Sequence, residues 1–360
     1  MQYNQKNNSN SALSPKYINP ISKQINQNKQ IKQVDEDTEI VVSELSTDKI
    51  IDNNEYIPQK TNELNAHDLL VLHLHNNREV GNETRHHSYF KEHQIDIDKN
   101  LSRLISLKKL DIKSDFDHSL PHLKVPELKQ ILRENNLKLS GNKKDLIERI
   151  KLNLSAHEID LPKVYVATSN AEETLINTKY IKHFYNSDII SLAAAKKIID
   201  SNLNVDDKIE FIYVYLINQF RKSKSDRNKL NRVIYSLIIY YKSINKNVNI
   251  IRKYINYNTF ISMSMSLEHL KAVIHFSNYS TENNLLNYFH LIHREYYENQ
   301  IFIENINRDV LKKMFYLDIS NFESVEKSLC DDFFELILAE IHNNTSITLE
   351  DIITIKSLLL

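Results

Sequence analysis

Basic side chains are concentrated between Leu123 and Leu154. Eight lysines and arginines stand against four acids there, a local excess of four positive charges. Neutralising phosphates supplies the sequence-independent part of nucleic-acid affinity. Lys143 and Lys144 lie at the start of a predicted helix, where backbone N–H groups and the helix dipole also favour a phosphate. The charge therefore indicates nucleic-acid contact, and the alternative is that these residues only keep a small hairpin soluble.

A second basic group lies between Arg221 and Lys253, where ten basic residues accompany one acid, Asp226. Tyrosines alternate with the cations, and aromatic rings beside cations can stack on unpaired bases. Most of these tyrosines also fall at core spacing with Ile and Leu, so a solvated basic face remains the alternative to a second nucleic-acid surface. The candidates for that surface are Arg221, Lys222, Lys224, Arg227, Lys229 and Arg232.

Histidines cluster between Ala66 and His93. On an extended strand, His73 and His75 would point to one face, and His86, His87 and His93 could complete a metal site. No cysteine is near, and the spacing matches no zinc motif. We therefore predict no metal and interpret these histidines as neutral side chains of polar loops.

The sequence contains no motif for catalysis. The chain has only two glycines, Gly81 and Gly141, whereas phosphate loops and dinucleotide folds need several. Cys330 is predicted to be buried and unreactive. The carboxylates of Asp331, Asp332 and Glu335 could bind Mg²⁺, but such spacing is more typical of a solvated helix face. We predict a non-enzymatic protein without cofactor or metal.

Two short helices joined by a tight loop must position the first basic group. Pro126 suits the first turn of the first helix, and glycine reaches the backbone angles that the Ser140-Gly141 turn requires. Asn142 is expected to cap the second helix, with Asp145 completing the pair. Apolar residues recur at helical spacing in both helices: Val125, Leu128, Ile131 and Leu132 in the first, and Leu146, Ile147, Ile150 and Leu154 in the second.

This stretch resembles the SAP motif, a helix–loop–helix module of scaffold-attachment factors, Acinus and the PIAS proteins. The resemblance covers about a tenth of the chain. It departs from the family pattern at Asn136, where many members have glycine, and at Lys144, where a small residue is usual. The matching residues are Val125, Leu128-Lys129, Leu132, Leu137, Ser140-Gly141, Lys143 and the run Asp145-Leu146-Ile147-Glu148-Arg149-Ile150.

The resemblance implies binding to duplex DNA, often A·T-rich or matrix-attachment DNA, by proteins of chromatin, repair or RNA processing. It places the predicted module at residues 120–154. The residues expected to contact nucleic acid are Lys129, Lys138, Ser140, Gly141, Lys143, Lys144 and Arg149.

Composition and charge limit the classes of protein to which the chain could belong. The net charge is -1, so any DNA-binding surface must be local. A single cysteine excludes an internal disulfide framework and fits a reducing compartment. The sequence has neither the apolar core of a signal peptide nor a run long enough to span a bilayer. We expect location in the nucleus or another intracellular compartment that contains DNA, including a viral replication site, without secretion or membrane contact.

The predicted fold is mainly α. The predicted order is a disordered tail at residues 1–65, Asn/Gln-rich and then acidic, a His-rich segment with a basic helix at 66–119, the SAP-like domain at 120–154, a linker at 155–170 and an all-α domain at 171–360. Predicted elements are helices at Asp98–Leu110, Asp188–Ser201, Val205–Ser223, Arg227–Ile244, Val248–Tyr257, Leu267–Ser277, Glu282–Glu298, Arg308–Phe315, Glu323–His342 and Leu349–Leu359, and a strand at Lys163–Thr168.

The leading hypothesis is a protein that tethers duplex DNA through the hairpin, with its carboxy-terminal helices serving self-association or partner binding. Two alternatives remain open. One is a protein-interaction scaffold that contacts no nucleic acid. The other is RNA or single-strand binding through the basic 221–253 face.

Overall fold

The structure is a computed structural model that describes residues 63–84, 88–202, 204–277 and 291–342. Within these ranges it contains fifteen α-helices and one small sheet, which confirms the mainly α prediction. Most of the predicted tail, His86, His87, the start of the predicted helix at Glu282 and the helix at Leu349–Leu359 lie outside the described residues. None of the described helices combines the length and apolarity needed to cross a membrane.

The elements are numbered here in chain order. The helices are α1 Ala66–His75, α2 Ser88–Glu92, α3 Ile97–Ser106, α4 Phe116–Ser119, α5 Val125–Glu134, α6 Lys143–Asn153, α7 Ser169–Asn177, α8 Lys179–Phe184, α9 Leu192–Asp200, α10 Lys208–Phe220, α11 Arg227–Ser243, α12 Val248–Ser277, α13 Arg294–Glu298, α14 Arg308–Ser320 and α15 Lys327–Ile341. The strands are β1 Arg78–Glu79, β2 Leu110–Lys113 and β3 Val164–Ala167.

The described chain forms two compact units, which lie within Ser43–Val233 and Ile234–Leu360. The division falls inside α11. The domain bounds expected from the sequence stay predictions.

Helix α1 forms the centre of the first unit. Four consecutive residues, Leu69 to Leu72, are buried, because α3, α8 and α9 all pack against this helix. Asp68 is also buried, where it pairs with Arg103 and accepts a 2.9 Å hydrogen bond from the Asn100 amide. The predicted polar loop around His73 and His75 is therefore wrong, because both residues belong to the last turn of a buried helix.

The sheet is antiparallel, with β3 between β1 and β2. Leu110 pairs with Ala167 and Lys113 with Val164, so β2 and β3 run side by side along their whole length. Residues 114–163, which connect these two strands, therefore begin and end at the same end of the β2–β3 pair. The SAP-like hairpin lies within this excursion and so projects from a two-stranded base.

Several helix bounds differ from the predicted ones for identifiable reasons. The helix predicted at Asp98–Leu110 ends at Ser106, because Lys108 has a left-handed backbone (φ 54°) and Leu110 begins β2. The helices predicted at Val248–Tyr257 and Leu267–Ser277 form one helix, α12. Asn258 and Thr259, which follow the predicted end at Tyr257, are both buried inside that helix.

The second unit contains a buried polar network. The Asp318 carboxylate of α14 accepts hydrogen bonds from Arg252 (2.9 Å) and from the Asn256 amide (2.7 Å), both on α12. Tyr297 donates its hydroxyl proton to the Asn256 carbonyl at 2.8 Å. These contacts fix the register of α14 against α12, since polar groups buried without partners would cost stability.

Candidate nucleic-acid interface

The hairpin has its own small hydrophobic core. Leu128 and Leu132 of α5 pack against Leu146 and Ile150 of α6, and all four are fully buried. Val125, the first residue of α5, belongs to the apolar face but is 36% exposed, so the buried contacts of this helix begin at Leu128.

The first helix ends in a Schellman motif. The Leu137 N–H donates to the Leu132 carbonyl at 2.8 Å, and the Asn136 N–H donates to the Arg133 carbonyl at 3.1 Å. Asn136 adopts φ 56°, a left-handed angle that glycine takes most easily and asparagine tolerates. This geometry explains how asparagine can occupy the position where many SAP motifs have glycine.

The turn between the helices depends on Gly141. Its φ of 127° is one that side chains with a Cβ rarely adopt. A Cβ on Gly141 would lie 2.8 Å from the Asp145 Cβ. Asp145 is committed to the predicted capping box, in which it accepts from the Asn142 N–H at 2.9 Å while the Asn142 side chain accepts from the Asp145 N–H at 3.1 Å. Glycine is therefore required by both backbone angle and space.

Two of the predicted DNA-binding residues hold the loop itself. The Arg149 guanidinium donates to the carbonyls of Lys138 (2.5 Å) and Ser140 (3.0 Å) through one nitrogen. The Lys143 ammonium donates to the Pro121 carbonyl at 2.6 Å. Arg149 thus fixes the loop to α6, and Lys143 fixes the start of α6 to the segment before the hairpin.

The other three lysines that were predicted to contact nucleic acid present their charge differently. Lys138 and Lys144 are exposed, and Lys129 is half-buried. Within the described ranges, the side chains of these three lysines make no hydrogen bond or ion pair. They are therefore the predicted residues whose ammonium groups are available to a ligand.

The start of α6 adds backbone donors to these charges. Asn142 accepts from the Asp145 N–H through its side chain and from the Leu146 N–H through its carbonyl. In the part of the chain that the structure describes, the N–H groups of Lys143 and Lys144 make no hydrogen bond. Free N–H groups at a helix N-terminus favour an anion, so these two amides and the Lys144 ammonium can converge on a phosphate.

The hairpin is attached to its base by packing and hydrogen bonds. Leu120 and Leu161, which precede and follow the hairpin, are buried in its core. The Ser119 hydroxyl donates to the Pro162 carbonyl at 2.7 Å, and the Ser114 hydroxyl donates to the Leu161 carbonyl at 3.1 Å. The predicted linker therefore packs against the hairpin up to Leu161 and then continues into β3.

Two cations in and just after α3 are engaged within the first unit. Arg103 of α3 pairs with Asp68, and Lys109, which follows the helix, donates to the Asn170 carbonyl at 2.8 Å. Support for the hairpin comes from Leu120 and Leu161 rather than from α3.

The second predicted basic group is divided. Its six candidate residues lie in the first unit, whereas Lys242 to Lys253 belong to the second. Arg232 pairs with Asp188, and Lys229 pairs with Asp226 at 3.2 Å. Arg221 and Arg227 also have interaction partners. Lys222 and Lys224 are exposed and, among the residues that the structure describes, unpaired.

The tyrosines of this region are engaged in packing. Tyr241 is buried, Tyr254 packs on Phe322, and Tyr235 stacks on the His293 ring at 5.8 Å. Rings that pack on other side chains present little free face for stacking on bases. This arrangement favours the interpretation of these tyrosines as structural residues.

The candidate metal and catalytic groups have structural surroundings. In the described ranges, no three His, Cys, Asp or Glu side chains are placed to hold a metal ion. Glu335 is paired with Arg308 and Lys312, and Asp331 with Lys327. Cys330 is buried, and burial raises the pKa of its thiol to about 12, with Asp331 and Glu323 adding to the effect.

In a comparison with protein families, the SAP domain matches residues 119–154. This confirms the resemblance inferred from the sequence and indicates a nucleic-acid-binding module in this part of the chain. The matched segment begins at Ser119, which is buried against Pro162, and ends at Leu154 after α6. Searches of curated proteins and of solved structures gave no significant match.

Proposed function

We propose that this protein is a non-enzymatic DNA-binding protein that tethers duplex DNA through the loop and second helix of its SAP-like hairpin. The observation that carries the proposal is the start of α6, where the Lys144 ammonium and two free backbone N–H groups are available together. Lys138 and Lys129 supply further charge, while Arg149 orders the loop and Lys143 holds the start of α6.

The exposure of Lys138 and Lys144 makes the proposal testable without disturbing the fold of the hairpin. Lys138 and Lys144 are exposed and unpaired within the described residues, so alanine at both should remove charge without unfolding the hairpin. Lys143 is unsuitable for this purpose because its ammonium holds the Pro121 carbonyl. A variant at Lys143 would change both stability and binding.

The test is fluorescence anisotropy of a labelled duplex with the full chain at several salt concentrations. Lys138→Ala with Lys144→Ala should weaken binding to all duplex sequences. If both residues contact phosphates, the slope of log affinity against log salt should fall by about 1.8, since each phosphate contact contributes roughly 0.9. The control is Lys197→Ala, which removes an exposed cation from α9.

Competition identifies the nucleic acid. Unlabelled duplex DNA should displace the probe at lower concentration than single-stranded RNA, and an A·T-rich duplex at lower concentration than a G·C-rich one. Stronger displacement by RNA, with loss of RNA binding in Lys222→Ala and Lys224→Ala, would favour the basic face instead. An affinity unchanged in the double variant would refute the proposal and favour a hairpin that docks a protein.

The proposal assigns assembly or partner contacts to the second unit. Phe302 and Ile303 are 59% and 71% exposed, and Val310 and Leu317 of α14 are also exposed among the described residues. Apolar side chains in such positions are typical of interaction surfaces when they are contiguous. Location in the nucleus or another intracellular compartment that contains DNA, including a viral replication site, follows from the proposed ligand.

A further inference from the structure

A polar cleft of about 400 Å³ lies beside the base of the hairpin, within the first unit. It is formed by the end of α1, the turn around β1, helix α8 and His122. These segments are distant in sequence, and the SAP match begins at residue 119, so only His122 of the lining residues belongs to the matched segment. The cleft is therefore mainly a feature of the surrounding fold.

Two hydrogen bonds at the cleft engage side-chain amide oxygens rather than amide NH₂ groups. The Asn76 side-chain oxygen accepts from the Ala167 N–H at 2.8 Å, and the Asn77 side-chain oxygen lies 3.3 Å from the His122 Nε2. Since both amide oxygens are engaged, the NH₂ groups remain for a ligand. Amide NH₂ donors of this kind can bind an anion.

The charged side chains of the cleft also favour an anion. Lys182 is exposed, and its ammonium makes no hydrogen bond or ion pair within the described ranges. Burial lowers the pKa of His73, and the nearby positive charge of Lys182 lowers it further. Arg78 contributes a second cation, which donates to the carbonyls of Leu74 (2.9 Å) and Asn82 (3.1 Å). Glu79 is the single acid of the lining and accepts from the Asn82 amide at 3.0 Å.

The cleft is structurally connected to the proposed DNA site. His122 follows Pro121, whose carbonyl accepts the hydrogen bond from the Lys143 ammonium. Adjacent Cα atoms are about 3.8 Å apart, so one peptide unit links the cleft lining to the residue that holds the start of α6. A nucleic acid bound at Lys144 would have a second donor-rich surface beside this link.

We infer that the cleft binds a further phosphate of the same nucleic acid that the hairpin binds, with Lys182 as the charged contact and the amides of Asn76 and Asn77 as neutral donors. This inference rests on the proposed function. It extends the interface beyond the hairpin to the body of the first unit. The duplex would then be held at two points of the first unit.

The experiment compares Lys182→Ala, Lys144→Ala and the control Lys197→Ala in the full chain, by anisotropy with a labelled duplex. Lys182→Ala should bind more weakly than the control at low salt. Because one phosphate contact contributes about 0.9 to the salt slope, the ratio of wild-type to variant affinity should shrink about 3.5-fold between about 50 mM and about 200 mM salt. Lys182 is exposed, so its replacement should leave the thermal melting curve unchanged.

The outcomes separate the two proposals. Weaker binding by Lys144→Ala together with control-like binding by Lys182→Ala would overturn the cleft inference and leave the hairpin as the DNA site. A wild-type chain that binds no duplex would overturn the proposed function, and the cleft inference with it. Hydrogen-exchange protection of the lining by inorganic phosphate but not by duplex would assign the cleft to a free anion and overturn the inference.

Discussion

Replacement of Gly141 by alanine tests whether the hairpin loop has the strained geometry that the structure gives it. The φ of 127° is unfavourable for alanine, and the added Cβ would lie 2.8 Å from the Asp145 Cβ. Backbone strain of this kind costs about 1–3 kcal/mol. Displacement of Asp145 would also disrupt the capping box of α6, and loss of such a cap costs roughly 1 kcal/mol. The expected loss is therefore about 2–4 kcal/mol of local stability.

Gly81 provides a matched control. Its φ is 97°, but a Cβ placed on it would meet no atom within 4 Å. Gly81→Ala should therefore show backbone strain without a steric clash. The difference between the two variants estimates the contribution of the Asp145 contact.

The assay is hydrogen exchange measured by mass spectrometry on the full chain. Amides of α5 and α6 should exchange roughly 30- to 700-fold faster in Gly141→Ala, because every 1.4 kcal/mol corresponds to about a factor of ten. Gly81→Ala should accelerate exchange less, and only in the segment around α1 and β1. Equal acceleration by the two variants would refute the steric part of the reasoning, and unchanged exchange in α5 and α6 would refute all of it.

Two further predictions concern other groups. Arg149→Lys keeps the charge but removes the guanidinium nitrogen that donates to the carbonyls of both Lys138 and Ser140. Loop amides should therefore exchange faster, by the roughly 1–3 kcal/mol that two hydrogen bonds contribute, while the salt slope of DNA binding is retained. Exchange as slow as in the wild type would show that the guanidinium does not order the loop. Burial, with a smaller effect of Lys242, lowers the pKa of His293 from 6.5 to about 4. The stability that depends on neutral His293 is fully present above pH 6.5 and is lost as pH falls towards 4. The free energy of unfolding should fall by up to about 3 kcal/mol over this range. Thermal melts of wild type and His293→Gln across this range should show a smaller pH dependence in the variant.

The sequence was sufficient to predict the hairpin because its signals are local. The cap formed by Asn142 and Asp145, the proline in the first turn and the glycine turn all involve residues within a few positions of each other. Each has a specific backbone requirement, so composition and spacing determine the structure directly. Spacing alone does not show where packing against the second helix begins, which is why the exposure of Val125 needs the structure.

The surroundings of the hairpin depend on contacts that spacing does not reveal. The pairing of Leu110–Lys113 with Val164–Ala167 joins strands about fifty residues apart. Leu161 completes the hairpin core from within a segment that was predicted to be a linker. The cleft residues His122 and Lys182 come from separate elements, and no periodicity in the sequence relates them.

The two-stranded base changes what the hairpin can do for the protein. A module on a flexible linker would bind DNA without fixing its direction relative to the rest of the chain. Here the hairpin is joined to β2 and β3 by Leu120, Leu161 and the hydrogen bonds of Ser114 and Ser119. DNA held at Lys144 would therefore take a defined orientation relative to the sheet and to α1. That constraint is what a tether needs if the bound DNA is to be presented to a partner, and it makes the base as important to the proposed function as the charged loop.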